Sequence, residues 1–431
     1  MSRALALLLV LIPALSWAQT DVAAFVPFEG KPVTAIRIEG NRVTREYVIS
    51  RELETRPGEP FRVAVLEADL QRLENLGIFA ETNVAAEADG EGVRLTFRIR
   101  EAPALLLLPS FLYTEENGFS WGAALSAPNL TGRSISLSAR AYFGGTTQRW
   151  ARLSHPWIKG NHLSFDFFGG QRERADVMNG FNEDSWEFTP GVGTWLGSRG
   201  RLRGFASLFR MNSDVAGKTL DPDNEDQFFR AGLSAGYDTR DSWRDPRTGW
   251  KNEIEIVGSA GDGSFWTMNL DLRRYLPSFR RQHLLLSGLM TLQSGTVGED
   301  VPVYLTYYLG GANTIRGYDL EELGPSLNGK NQLLTTAEYN FKLLDLARRD
   351  IFGWSFSVGL ELALFADAGI AWNDPVDFGW KRFRGGVGAG LRLLVPGAEQ
   401  VRLDVGWSPQ GDFHFHFASG TKPAAQRQRL R

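Results

Sequence analysis

Residues 355–364 read Ser-Phe-Ser-Val-Gly-Leu-Glu-Leu-Ala-Leu. In an extended chain Phe356, Val358, Leu360, Leu362 and Leu364 point one way, and Ser355, Ser357, Gly359 and Glu361 point the other. A helix would scatter these side chains around its axis, whereas a strand sorts them into one greasy face and one polar face. Arg402 and Asp404 alternate in the same way with Val401, Leu403 and Val405. In Asp412–Phe417, His414 and His416 oppose Phe413, Phe415 and Phe417. Charges directly beside large apolar residues put one face in hydrocarbon and one in water, the pattern of a membrane-spanning barrel strand.

Outward from this stretch, the chain from Ala104 to Ser419 is a series of short alternating segments punctuated by Gly, Pro, Asn and Asp. Turn signals divide it into about sixteen segments, an even number as single-chain bacterial barrels require. The expected fold is mainly β, a transmembrane antiparallel β-barrel of about sixteen strands, preceded by one small α+β domain. A soluble sandwich or propeller is the alternative. Trp121, Trp150, Trp157, Trp186, Trp195 and Trp266 near segment ends favour the membrane. Odd-numbered connections should be external and longer. Gln171–Asp184, Asn212–Asp226, Gly295–Lys330 and Ala368–Lys381 are the long ones, and all have that parity. Two even-numbered connections, Asp238–Gly249 and Leu344–Gly353, read as longer than the rule predicts.

Composition narrows the function. The 431 residues carry 47 basic and 50 acidic side chains, so no basic excess exists to neutralise nucleic-acid phosphates. A mean hydropathy of -0.22 excludes a helical membrane bundle but not a barrel, whose polar face averages out the apolar one. The absence of cysteine removes disulfides, thiolate metal sites and cysteine nucleophiles together. Ser2-Arg3, the apolar run Ala4–Ala14 and the ending Ser16-Trp17-Ala18 match a secretory signal peptide over residues 1–18, with cleavage expected after Ala18.

Residues 30–102 read differently from the rest. Val33–Glu39 is a strand that stops at Gly40-Asn41. Thr44 is placed to cap a helix carrying Val48, Ile49 and Leu53, broken at Arg56-Pro57-Gly58. Leu66, Leu70, Leu73 and Leu76 share one face of a second helix, with Gly77 at its left-handed cap. Strands Glu81–Ala88 and Gly92–Glu101 follow, joined by a turn. This order, with Ile38-Glu39-Gly40-Asn41 and Leu73–Phe79, resembles a POTRA domain. The resemblance implies capture of client polypeptides by strand addition at a sheet edge.

The connection between the eleventh and twelfth barrel segments holds Thr314-Ile315-Arg316-Gly317-Tyr318. Here the chain resembles the bacterial surface antigen family related to BamA and TamA, whose largest external loop folds into the barrel and carries a (V/I)-R-G-(F/Y) motif. Ile315, Arg316, Gly317 and Tyr318 fit it in full. The resemblance implies that Arg316 is held by Glu338, in Ala337–Phe341, and by Asp367, in Phe365–Gly369. Alternation independently turns both carboxylates inward, because Tyr339, Phe341, Leu362 and Leu364 face lipid. Asp238–Asp241 with Pro246–Gly249, and the final hairpin Gly388–Gly406, are similar to the family too. Two departures are a single POTRA-like module and a basic tail, residues 420–431, beyond the last aromatic Phe417.

Other motifs carry less. Gly118-Phe119-Ser120-Trp121-Gly122 satisfies an esterase pattern but lacks the strand-turn-helix context that exposes the serine. His414 and His416 share a face without an evident third metal ligand, and read as lumen positions. Asp221–Asp226 lacks the glycine of a tight calcium loop and reads as a solvated external loop. No catalytic residue, metal or cofactor is expected.

The expected function is a non-enzymatic outer-membrane barrel, its N-terminal domain in the periplasm. It would assist insertion or translocation of other proteins through a lateral seam, with clients and accessory periplasmic proteins as partners. Pro109 cannot donate to a ladder and belongs at an edge, so the seam should lie between its strand and the one bearing Phe413, Phe415 and Phe417. The alternative is a passive pore or lipid exporter with the same fold; a third reading is an outer-membrane hydrolase using Ser120.

Overall fold

The computed structural model describes residues 22–419, apart from 161, 198, 244, 280, 325, 352, 353, 396 and 397. The expected leader and the tail from 420 onward lie outside the described residues. The chain divides into two compact units between Ala102 and Pro103.

The first unit contains β1 (Val33–Glu39), α1 (Glu46–Ser50), α2 (Val63–Asn75), β2 (Phe79–Asp89) and β3 (Gly92–Glu101). Its sheet has the order β1-β3-β2, with β1 parallel and β2 antiparallel to the central strand. Ile49, Leu53, Phe61, Leu66 and Leu73 pack on Val33, Leu95 and Phe97, and full burial of each such side chain contributes about 1.5–3 kcal/mol. Gly77 follows the C-cap of α2 with φ +67°, as the α2 spacing predicts. The N-terminus of α1 differs from expectation. Arg45 occupies the cap position, and Thr44 is buried with its amide donating to the Glu101 carboxylate. The carboxylate at the end of β3 thus satisfies the Val43 and Thr44 amides just ahead of the helix, and the Arg45 cap position carries no side-chain cap bond. Helix α1 ends at Ser50, so Leu53 reaches the core from the segment beyond it.

The second unit is the barrel. Its first strands are β4 (Leu106–Thr114), β5 (Gly118–Leu130), β6 (Ile135–Gly144), β7 (Thr147–Lys159), β8 (Leu163–Asp176) and β9 (Phe181–Leu196). Then come β10 (Gly200–Ser213), β11 (Glu225–Asp238), β12 (Gly249–Gly261), β13 (Ser264–Pro277) and β14 (His283–Gln293). The next connection contains β15 (Tyr307–Tyr308), α3 (Leu320–Leu323) and β16 (Asn328–Gly329). Strands β17 (Asn331–Ile351), β18 (Trp354–Trp372), β19 (Arg384–Val395), β20 (Ala398–Trp407) and β21 (Phe413–Ser419) complete it. Sixteen strands pair in sequence order as antiparallel neighbours, and β14 pairs with β17 across the long connection. The two ends of this order are β4 and β21.

Alternation is realised as expected. On β17 Gln332, Leu334, Thr336, Glu338 and Asn340 are buried inward, whereas Leu107, Phe111, Trp121, Leu208, Leu233 and Phe415 stand at 61–84% exposure on the outside. An unbroken belt of exposed large apolar side chains exceeds what a water-soluble surface tolerates and fits hydrocarbon.

Two expected connections are strand instead. Gln171–Asp184 shrinks to residues 177–180, because Arg172 and Arg174 on β8 both reach Glu183 on β9, so inward ion pairs carry the ladder through a polar run. Leu344–Gly353 is mostly ladder between β17 and β18, with register shifts after Lys342 and Leu344 absorbing its irregular sequence. The segment 239–248 does remain a connection.

The connection 294–330 turns into the barrel rather than outward. Val301, Tyr304 and Leu305 pack on Phe181, Met211, Phe228 and Phe265 of four different strands. Leu309, Ile315, Tyr318, Leu323 and Leu327 pack on Leu289, Leu334 and Ile370. Asp226 anchors the first group by accepting from the Tyr304 hydroxyl at 2.8 Å. The acidic run Asp221–Asp226 therefore ends in a buried structural carboxylate, not in solvent as its composition suggests.

Candidate functional site: the buried loop anchor

The infolded connection brings Arg316 to the inner wall with its side chain fully buried. A bare guanidinium there would be costly, so its donors must be satisfied. Nε and Nη2 form a fork on Asp367 Oδ2 and Oδ1 at 2.8 and 3.0 Å, and the Arg316 amide adds a bond to Oδ2 at 3.1 Å. Nη1 donates to Glu338 Oε2 at 3.1 Å and Asp404 Oδ2 at 3.3 Å. The plane lies 3.4 Å above the Phe365 ring. Thr336 donates its hydroxyl to Asp367 at 2.9 Å and fixes that carboxylate from the neighbouring strand.

The structure thus brings together Arg316, Glu338 and Asp367, and adds partners that the sequence reading assigned no role. Arg392 donates to both oxygens of Glu338, at 3.1 and 2.7 Å, and to Asp404. Arg402 approaches Asp404 at 3.8 Å and donates to Ala312 O and Asn313 Oδ1 of the connection at 3.1 and 2.6 Å. Three guanidinium groups face three carboxylates in a dry wall, so the cluster is neutral as a unit. Arg392 and Arg402 sit directly opposite in the β19–β20 register, an arrangement of like charges that only the interposed carboxylates make tolerable. Their alternation with leucines was visible in sequence, but that opposition was not, because it needs the register.

Glycines make room for the loop backbone. Gly317 has φ +103°, and a Cβ there would lie 2.7 Å from the Trp407 carbonyl carbon. On β19, a Cβ at Gly386 would stand 1.8 Å from Arg316 O. The glycine-rich start of the final hairpin is the groove in which the motif lies. Ile315 and Tyr318 are buried, and the Tyr318 hydroxyl donates to Gln410 at 2.7 Å.

The same connection touches both end strands. Glu115, just beyond β4, accepts the Ala312 amide at 2.9 Å and bonds His416 Nδ1 on β21 at 2.5 Å. His416 Nε2 accepts the Gly317 amide at 3.2 Å, which places the imidazole proton on Nδ1, facing Glu115. His414 lies between Asp319 and Glu322 at 3.2 and 3.3 Å. Pro109 lies on β4, and Phe413, Phe415 and Phe417 point outward from β21. Tyr113 meets Phe417 edge-on at 5.4 Å, yet among the described residues no ladder joins β4 to β21. Ser120 is buried inside β5 with its hydroxyl accepting the Thr146 amide at 2.8 Å, so it is not held exposed on an elbow.

Comparison with known proteins agrees with this architecture. Residues 129–422 match the model of the Omp85 superfamily domain. The chain belongs to the Omp85 superfamily. Residues 32–102 match the POTRA model, described as a surface antigen variable number repeat. The chain is 25% identical over 406 residues to the outer membrane protein assembly factor BamA of Nitratidesulfovibrio vulgaris, covering 89% of this chain and 48% of that protein. It is 24% identical to BamA of Neisseria meningitidis over 382 residues, 79% of this chain and 46% of that protein. The chain thus spans about half the length of the curated relatives it matches. BamA from Haemophilus ducreyi lacking POTRA domains 1–3 shares the fold with TM-score 0.59 at 15% identity, covering 90% of this chain and 84% of that one. CdiB from Acinetobacter baumannii does so with TM-score 0.57 at 13% identity, covering 90% and 73%. An Omp85 barrel with a lipid-facing apolar belt is a protein of the outer membrane.

Proposed function

We propose that this protein assists the insertion or translocation of other outer-membrane polypeptides, without enzymatic chemistry. The observation that carries the reading is the boundary between β4 and β21, which among the described residues carries no ladder, whereas the other neighbouring strands are hydrogen-bonded. Unpaired backbone groups at a strand edge are a template for another strand. The Arg316 anchor and the Glu115–His416 contact hold that boundary against the infolded connection. The first unit offers β2 as an edge strand to clients by strand addition, from the periplasm, where accessory proteins would also act. The two apolar clusters of the connection, packed inside the barrel, weigh against a passive open pore.

The test is the folding rate of a small outer-membrane protein into liposomes that hold this protein or its Arg316→Ala variant. Acceleration by the wild type and its loss in a folded variant are expected. No acceleration by the wild type would overturn the proposal.

A further inference from the structure

Two imidazoles stand side by side on the inner face of β21, and the infolded connection touches both. The His414 and His416 rings lie 6.3 Å apart and 24° from parallel. Their surroundings differ. The His416 side chain is fully buried, with Nε2 accepting the Gly317 amide at 3.2 Å and Nδ1 bonded to Glu115. One nitrogen accepts and the other donates, which is the neutral imidazole.

His414 shows no such division. Its Nδ1 lies 3.2 Å from Asp319 Oδ1, and its Nε2 lies 3.3 Å from Glu322 Oε2. Both partners belong to α3 of the connection, where Asp319 is the cap and Glu322 completes the capping box. A neutral ring has one N–H and would turn a lone pair toward one of these carboxylates. Only the imidazolium presents an N–H to each. The His414 side chain is 17% exposed, so protons reach it from solvent, whereas His416 is sealed.

The other charges nearby are accounted for. Gly406 and Asp404 of β20 lie opposite His414 and His416, and Asp404 is taken by Arg316 and Arg392. Arg384 of β19 acts on Tyr318, as Glu322 does. Asp412, two residues before His414, is exposed. A charge on His416 would set two cations side by side and turn an N–H against the Gly317 amide. The pair therefore holds one proton, on His414.

We propose that His414 is a proton-operated clasp, which as imidazolium ties α3 of the infolded connection to β21 and as neutral imidazole loosens it. The tie is complete where the ring is charged and is lost as pH rises through its titration. Imidazole is the side chain that ordinarily changes charge between about pH 5 and 8, so this tie answers to pH while the arginine cluster stays intact. The inference concerns the docking of the connection and does not rest on the insertase reading.

The experiment is electron paramagnetic resonance on the full chain refolded in phosphatidylcholine nanodiscs. Ser326→Cys, exposed just beyond α3, carries a nitroxide, since the chain has no other thiol. The mobile fraction of the spectrum is read from about pH 5.5 to about pH 8.5, across the range in which imidazole changes charge. It should rise about threefold with pH, a modest factor because the Asp319 and Glu322 side chains are 61% and 40% exposed. His414→Gln should hold the high-pH value throughout. His414→Lys, charged at every pH tested, should hold the low-pH value, which separates charge from shape. Folding of each variant is checked by heat-modifiable electrophoretic mobility, and the lysine arm decides should the glutamine variant fail that check. A flat wild-type profile, a mobile fraction that falls as pH rises, or a pH response that survives in a folded His414 variant would each overturn the proposal.

Discussion

Replacing Arg316 by alanine removes one of three cations from a cluster with three carboxylates and leaves the wall with one uncompensated negative charge. Asp367 loses both prongs of its fork, while the Thr336 hydroxyl and the backbone amide of residue 316 still donate to it. Breaking a buried ion pair by deleting one partner costs about 3–5 kcal/mol. The connection 294–330 escapes this penalty if it leaves the lumen, because water then reaches Asp367. The opening equilibrium should therefore rise by roughly two to three and a half orders of magnitude, at 1.4 kcal/mol per factor of ten. The chain contains no cysteine, so a single thiol is a background-free reporter. Ala312, small and 4% exposed within the connection, is the place for it. In an Ala312→Cys background, maleimide labelling should accelerate at least a hundredfold when Arg316→Ala is added. Arg316→Lys should fall between the two, keeping the charge without the fork. Equal labelling rates with and without Arg316, in barrels that retain heat-modifiable mobility, would refute the view that this cluster holds the loop.

The remaining predictions concern the groove, the boundary and the first unit. Gly386→Ala puts a Cβ against Arg316 O, so the same thiol assay should report a more open connection although every ion pair survives. Amides of β4 should exchange with deuterium faster than those of β10 and β11, which are laddered on both sides; uniform protection around the barrel would count against an unpaired boundary. Glu101 sets a pH dependence in the first unit. Desolvation alone would raise its pKa, but hydrogen bonds from Thr44, Val43 and Arg42 outweigh it and hold the carboxylate below the ordinary 4.5. Its stabilisation is then fully present above that value and lost as pH falls through the depressed folded one. Glu101→Gln should flatten the acid limb of the unfolding profile of the first unit; an unchanged limb would assign that dependence elsewhere.

Much of this molecule was written in local pattern. Period-two alternation in Ser355–Leu364 and Val401–Val405 fixes which side chains face lipid, because a strand sends successive side chains to opposite sides. The same alternation turns Glu338 and Asp367 inward before any contact is known. Leucine spacing and Gly77 define α2 with no help from its neighbours. Where the local signal was ambiguous it misled. The polar run Gln171–Asp184 reads as a loop, yet cross-strand ion pairs make it ladder. Thr44 reads as a cap, yet it lies one residue before the cap position Arg45 and its amide is taken by Glu101, distant in sequence.

The sequence by itself determined the two units, the strand faces and the motif Ile315–Tyr318. Tertiary structure alone decided that Arg392, Arg402 and Asp404 complete the charge balance around Arg316, and that Glu115 and His416 meet across the end strands. The physical reason is that orientation repeats along one strand, whereas ion pairing depends on registers and on a loop that brings together residues far apart in the chain.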